Sequence, residues 1–182
     1  MKKFKGLLVL LILFVITGCS LGNSPKSKVE ALLMKYQTNS SDLKTELDDF
    51  LDSINAADDY KDEYRKVYER QYKDLKYKIK MVVKDEKIDG DKATVTAEIE
   101  VYDYYKTEAD ATSYIASNPK EFNDNGVYSV SKGLEYKIKA YNNTKDRVTY
   151  TIDFTLTKTD NKWTIDPLTD DELAKLHGTY VH

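Results

Sequence analysis

Apolar residues recur with two different periods along this chain, and the switch between them marks out its elements. Ser24-Pro25 reads as an N-cap followed by proline at the first helical position, and Val29, Leu32, Leu33 and Tyr36 follow at helical spacing. A second helix carries Leu43, Leu47, Phe50, Leu51 and Ile54 on one face. A third begins near Asp58 and sets Tyr60, Tyr64, Tyr68 and Tyr72 one turn apart, with Val67 beside them. The period then drops to two. Leu75, Tyr77, Ile79, Met81 and Val83 alternate with Lys76, Lys78, Lys80, Val82 and Lys84, which predicts a strand with one buried and one lysine-rich face. Asp89-Gly90 signals a hairpin. Its return strand places Ala93, Val95, Ala97, Ile99 and Val101 inward and Thr94, Thr96, Glu98 and Glu100 outward. Glutamates and lysines on adjacent outer faces suit modest cross-strand pairing.

Residues 109–116 predict a short helix, broken by Asn118-Pro119. Val127, Val130, Leu134, Ile138 and Tyr141 recur at helical spacing with Gly133 as a weak point, while a strand through Leu134, Tyr136 and Ile138 is the alternative. Val148, Tyr150, Ile152, Phe154 and Leu156 alternate with Thr149, Thr151, Asp153, Thr155 and Thr157. Asp160-Asn161 then makes a turn, and Trp163 and Ile165 return on the core side. Thr169 and Glu172 have the spacing of a capping box, flanked by Leu168 and Leu173, and the short helix ends near His177-Gly178. Helices gathered against one face of an antiparallel sheet define an α+β domain.

The first twenty residues follow a different logic. Lys2, Lys3 and Lys5 precede an apolar run from Gly6 to Ile16, which is an export signal. That run is shorter than the roughly 20 residues a membrane-crossing helix needs. Ile16-Thr17-Gly18-Cys19 resembles a bacterial lipobox, which implies a diacylglycerol on the Cys19 thiol and cleavage just before it. Two acyl chains at about 0.8 kcal/mol per buried methylene make a stable anchor. The expected division is therefore a signal peptide over 1–18, a lipidated tether over 19–27, and one α+β domain over 28–182.

Composition adds mostly exclusions. Removing the three leader lysines takes the net charge from −3 to −6, and the mixed acidic surface argues against a nucleic-acid partner. Cys19 is the chain's one cysteine, so no internal disulfide is available. Two histidines leave few general bases or metal ligands, whereas 15 tyrosines suit half-buried surfaces. Neither a cofactor nor a metal centre is expected. Asp85, Asp89, Gly90 and Asp91 lack the third- and twelfth-position ligands of a calcium loop, where Lys87 and Thr96 stand.

The lipobox and the pattern from about Pro25 to Tyr180 resemble small lipoproteins of low-GC Gram-positive-type bacteria. The resemblance is carried by Val148-Thr149-Tyr150-Thr151-Ile152-Asp153-Phe154, Trp163, Asp170-Asp171-Glu172-Leu173 and His177-Gly178-Thr179-Tyr180. It implies a cone-shaped domain like that of nuclear transport factor two, with a curved sheet, N-terminal helices and a short C-terminal helix. That fold hosts isomerases, dehydratases and many non-enzymatic binding domains, so fold alone does not set function.

Three residues form the candidate ligand site: Tyr102, Asp103 and Tyr105, at the end of the second strand. By parity Asp103 and Tyr105 continue the apolar side, which in a cone would set a carboxylate and a phenol near the cavity mouth. A desolvated carboxylate can serve as a general base. If the strand frays there, Asp103 faces solvent instead. The tyrosine ladder is either a packing seam against the sheet or a stacking surface for a sugar or peptide. His177 is placed to offer charge to a helix C-terminus, and His182 is expected to be mobile. Together these features describe a non-enzymatic ligand- or protein-binding module anchored on the extracytoplasmic face of the cell membrane. The alternative is an isomerase- or dehydratase-like enzyme using Asp103.

Overall fold

The computed structural model describes residues 22–38, 41–53, 58–79 and 86–182. The signal segment, Cys19, Ile54, Met81 and Val83 lie outside the described residues. Helix α1 (Pro25–Gln37) starts where expected: Ser24 accepts from the Ser27 amide, the Ser27 hydroxyl answers the Ser24 amide, and Pro25 fills the first turn. Its face of Val29, Leu32, Leu33 and Tyr36 is buried. In α2 (Ser41–Ser53) Leu43, Leu47 and Leu51 are buried. A 3₁₀ turn at Asp58–Tyr60 leads into α3 (Lys61–Lys73), whose Val67, Tyr68 and Tyr72 are buried while Tyr60 and Tyr64 pack half-buried against the same core. The ladder is a packing seam.

Strands β1 (Lys76–Ile79) and β2 (Glu86–Asp89) both pair antiparallel with β3 (Lys92–Tyr102), along the same edge. The single strand expected from Leu75 to Val83 is thus confined, in its described part, to β1. The Asp89-Gly90 turn joins β2, not β1, to β3. The charge pairing holds: Lys76 lies opposite Glu100 with Nζ 2.7 Å from Oε1. On the far edge β3 pairs with β6 (Arg147–Thr159) from Lys92↔Thr157 to Tyr102↔Arg147, and β7 (Lys162–Ile165) completes a strongly curled antiparallel sheet. Asp160 and Asn161 both take positive φ in the β6–β7 turn, as a two-residue hairpin of primed type requires. Val95, Ala97, Ile99, Val101, Ile152, Phe154 and Leu156 form the inward face against the helices, while the threonines of β6 stay outside.

The excursion between β3 and β6 differs most from expectation. Helix α4 (Tyr104–Ser117) starts five residues earlier than predicted, then α5 (Pro119–Phe122) follows the Asn118 break. Val127 belongs to a two-stranded ribbon of β4 (Asn123–Asp124) and β5 (Val127–Tyr128), exposed rather than on a helix face. Helix α6 (Val130–Asn143) buries Ile138 and Tyr141, so the strand alternative through Tyr136 does not apply. The last helix, α7 (Asp170–His177), has the expected capping box, and Gly178 closes it in the left-handed conformation at φ 73°. Amides of Gly178 and Thr179 return to the carbonyls of Lys175 and Ala174.

Two glycines give opposite predictions. A Cβ on Gly178 would lie 2.1 Å from the Tyr102 carbonyl oxygen and 2.3 Å from Gln71 Nε2, on top of an unfavourable φ. Gly178→Ala should cost at least about 2 kcal/mol in denaturant unfolding. A Cβ on Gly133 meets only the phenol end of half-exposed Tyr128, 1.8 Å away, which can swing outward while the helix gains propensity. Gly133→Ala should change stability by less than about 1 kcal/mol; equal losses in the two variants would contradict this packing.

Candidate functional site

Asp103 is placed by the junction where β3 ends. The last β3 residue, Tyr102, is held by the side chain of Gln71 on α3: its N–H donates to Oε1 at 2.7 Å, and its carbonyl accepts from Nε2 at 3.0 Å. The same Nε2 donates to the His177 carbonyl at 2.9 Å. Chain direction then changes at Asp103, whose N–H donates to the Asp146 carbonyl and whose Oδ1 accepts the Lys106 amide at 2.8 Å, capping α4. Of the two placements the sequence left open for Asp103, the strand does end there, yet the carboxylate is buried, at 5% exposure, because it caps a helix and not because the strand continues.

The segment after α7 crosses this corner. The Tyr105 amide donates to the Gly178 carbonyl at 2.8 Å, which seats the segment beside α4. Nε2 of His182 then lies 3.3 Å from Asp103 Oδ2. Its Nδ1 lies 3.2 Å from the Tyr150 hydroxyl, which also donates to the Tyr180 carbonyl. The rings of Tyr105 and Tyr150 sit 5.6 and 6.0 Å from the imidazole, and Tyr180 stands edge-on to Tyr150 at 5.7 Å. Burial, and then the Asp103 charge, push the Tyr150 phenol up to about 12. His182, expected to be mobile, is instead seated against Asp103 and Tyr150.

Tyr102 does not join this group. Strand alternation turns its ring the other way, with the Arg70 guanidinium 3.9 Å and that of Arg147 4.6 Å from the ring centre. Its hydroxyl donates to Asp74 Oδ2 at 2.8 Å. Arg70 also donates to the carbonyls of Tyr141, Asn142 and Thr144, so Tyr102 and Arg70 bind the excursion's return to α3. Of the three sequence candidates, Asp103 and Tyr105 meet around His182, and Tyr102 is a structural bolt.

His177 corrects another expectation. It is buried, stacked on Phe50 at 4.1 Å, and shares a 2.7 Å hydrogen bond through Nδ1 with the Tyr72 hydroxyl. Burial pulls its imidazole down to about 3 and pushes the Tyr72 phenol well above its usual range, so the pair is neutral. It offers no charge to the helix end. Leu173, Leu176 and His177 share one helical face, and that spacing is the sequence signal for its burial. Gln71, Tyr150 and Tyr180 were missed because their partners lie far away in sequence.

A surface concavity of about 450 Å³ opens beside Ile138, between Tyr60, Glu63 and Glu135, and a second of about 440 Å³ is lined by Gln37, Lys66, Arg70 and Lys73. Neither includes Asp103 or Tyr105. Among the described residues no cluster of three or more histidine, cysteine or acidic side chains could hold a metal, and no helix is long and apolar enough to cross a membrane.

No protein-family model matches the chain, and neither does any curated protein. Among solved structures it is similar to the YcdA protein of Bacillus subtilis, described as a lipoprotein, at 16% identity and a TM-score of 0.46. The match covers 90% of this chain and 57% of that one, so the chain spans a little over half of YcdA's length.

The buried imidazole makes a pH prediction. Unfolded, His177 binds a proton below its ordinary value near 6.5; folded, it stays neutral down to about 3. Its share of stability is therefore complete above pH 6.5 and lost as pH falls towards 3, at about 1.4 kcal/mol per pH unit. Denaturant unfolding of the native protein and His177→Gln between pH 7 and 4 should show that slope only in the native protein. Parallel profiles would contradict a buried neutral His177.

Proposed function

We propose that this chain is an extracytoplasmic lipoprotein, held at the cell membrane by lipid on Cys19, whose domain is a non-enzymatic module for binding a ligand or protein partner at the envelope. The observation that carries this reading is Ile16-Thr17-Gly18-Cys19 at the end of a basic-then-apolar leader. The curled sheet with helices on one face agrees with the cone-shaped, nuclear-transport-factor-two-like domain that the sequence resembles.

The geometry adds an orientation. Asn23 is already seated on the β6–β7 hairpin, donating to the Asn161 carbonyl and accepting from the Trp163 amide at 3.4 Å. Four residues from Cys19 to Asn23 reach at most about 14 Å, which keeps the β6–β7 end of the sheet near the bilayer. Asp103 stands past the opposite end of β3, whose 11 residues span roughly 35 Å. On this reading the candidate site lies at the end of the sheet far from the anchor, where an envelope partner would meet it.

The isomerase- or dehydratase-like alternative has less support. That alternative calls for a phenol within hydrogen-bond reach of Asp103, whereas the partners its two oxygens meet are the Lys106 amide and the His182 imidazole.

Metabolic labelling with an alkyne fatty acid tests the anchor. The native chain should take up label and fractionate with membranes, and Cys19→Ala should remain an unlabelled precursor of higher mass. Undiminished labelling of Cys19→Ala would contradict the anchor, and with it the envelope module.

A further inference from the structure

The imidazole of His182 occupies a box whose walls suit a cation. Its floor is the Asp103 carboxylate, 5% exposed and 3.3 Å from Nε2. Two walls are the rings of Tyr105 and Tyr150, and Tyr180 extends the second. A neighbouring contact shows the same preference: Lys175 Nζ stands 5.0 Å from the Tyr180 ring centre. Tyrosine rings and the Tyr150 phenol oxygen around a buried carboxylate attract organic ammonium groups through π electrons, oxygen lone pairs and charge together. The occupant keeps one edge in water. The His182 side chain is 40% exposed, and the segment 179–182 has no strand or helix of its own.

We infer that this box is a binding site for an organic cation, a quaternary or alkylated ammonium group, and that His182 is a built-in competitor that fills it in the free protein. The inference rests on the binding-module reading and names the ligand class of its site. A ligand bearing such a group displaces the imidazole and draws the 179–182 segment off Tyr105 and Tyr150, so occupancy of the site is coupled to release of that segment. Competition by a resident group lowers apparent affinity by the fraction of time the seat is filled.

The test uses the full chain in dodecyl maltoside, which carries no ammonium group. The probe is choline, and 3,3-dimethyl-1-butanol serves as its uncharged isostere. The readout is saturable movement of the Tyr105 and Tyr150 ring signals in nuclear magnetic resonance. The His182→Ala chain should bind choline about tenfold more tightly than the native chain, by removal of the competitor, and should ignore the isostere. Adding Asp103→Asn keeps the α4 cap, since asparagine caps as well as aspartate, yet should abolish choline binding. Tyr105→Leu in the His182→Ala background, which leaves the carboxylate and the cap in place, should weaken it. Equal response to the isostere would overturn the inference, as would no response to choline in His182→Ala, or binding that survives Asp103→Asn. None of these outcomes depends on Cys19, so the cation box can fail while the lipid anchor stands.

Discussion

Three elements with no neighbouring sequence meet at one side-chain amide. Gln71 is fully buried, and both ends of its amide are engaged: its oxygen takes the Tyr102 N–H, and its nitrogen gives to the carbonyls of Tyr102 and His177. Strand β1 pairs with β3 only as far as Lys76↔Glu100, so Tyr102 lies beyond the reach of that ladder. Gln71 supplies the missing strand edge from a helix. Without it, a buried amide and two carbonyls lose partners at a cost of about 1–3 kcal/mol each.

The corner's remaining geometry follows from that clamp. With Tyr102 fixed, alternation sends its ring to Arg70 and Arg147 and leaves Asp103 as the first residue past the sheet, free to cap α4. With the His177 carbonyl fixed, α7 ends beside β3, and Gly178 packs so closely on Tyr102 and Gln71 that no side chain fits. The Gly178 carbonyl then takes the Tyr105 amide, which turns the following segment across Asp103. The Asp103, Tyr105, Tyr150 and His182 box is therefore a consequence of two backbone ends being pinned by one residue.

The periodic parts of the fold were legible in the sequence because one buried face dictates them. Strand β3 alternates for its whole length and β6 from Thr149 to Leu156, α1 carries its cap and its stripe, and Thr169 with Glu172 announces α7. Parity failed just after Asp103, where the chain turns into α4 and buries Tyr104 while Tyr105, expected on the apolar side, is left half-buried. The ribbon of β4 and β5 took Val127 out of an apparently helical series, since Asn125 and Gly126, both at positive φ, favour a tight turn there. Half of the candidate site was readable, in Asp103 and Tyr105. Its other half was not, because Tyr150 and His182 reach it from 47 and 79 positions further along the chain, and Gln71 lies in a helix whose tyrosine spacing masks one buried amide.

Gln71 pins the end of β3, and amide hydrogen exchange at Tyr102 reads this most directly. In the native protein the Tyr102 N–H should exchange as slowly as the Val95 and Ile99 amides in the middle of the strand. In Gln71→Met, which keeps volume and removes the amide, protection at Tyr102 should fall by about tenfold or more beyond any loss at Val95, in line with about 1.4 kcal/mol of lost local stability. If Tyr102 and Val95 lose protection equally, or Tyr102 keeps it, the end of the strand is held by something other than Gln71.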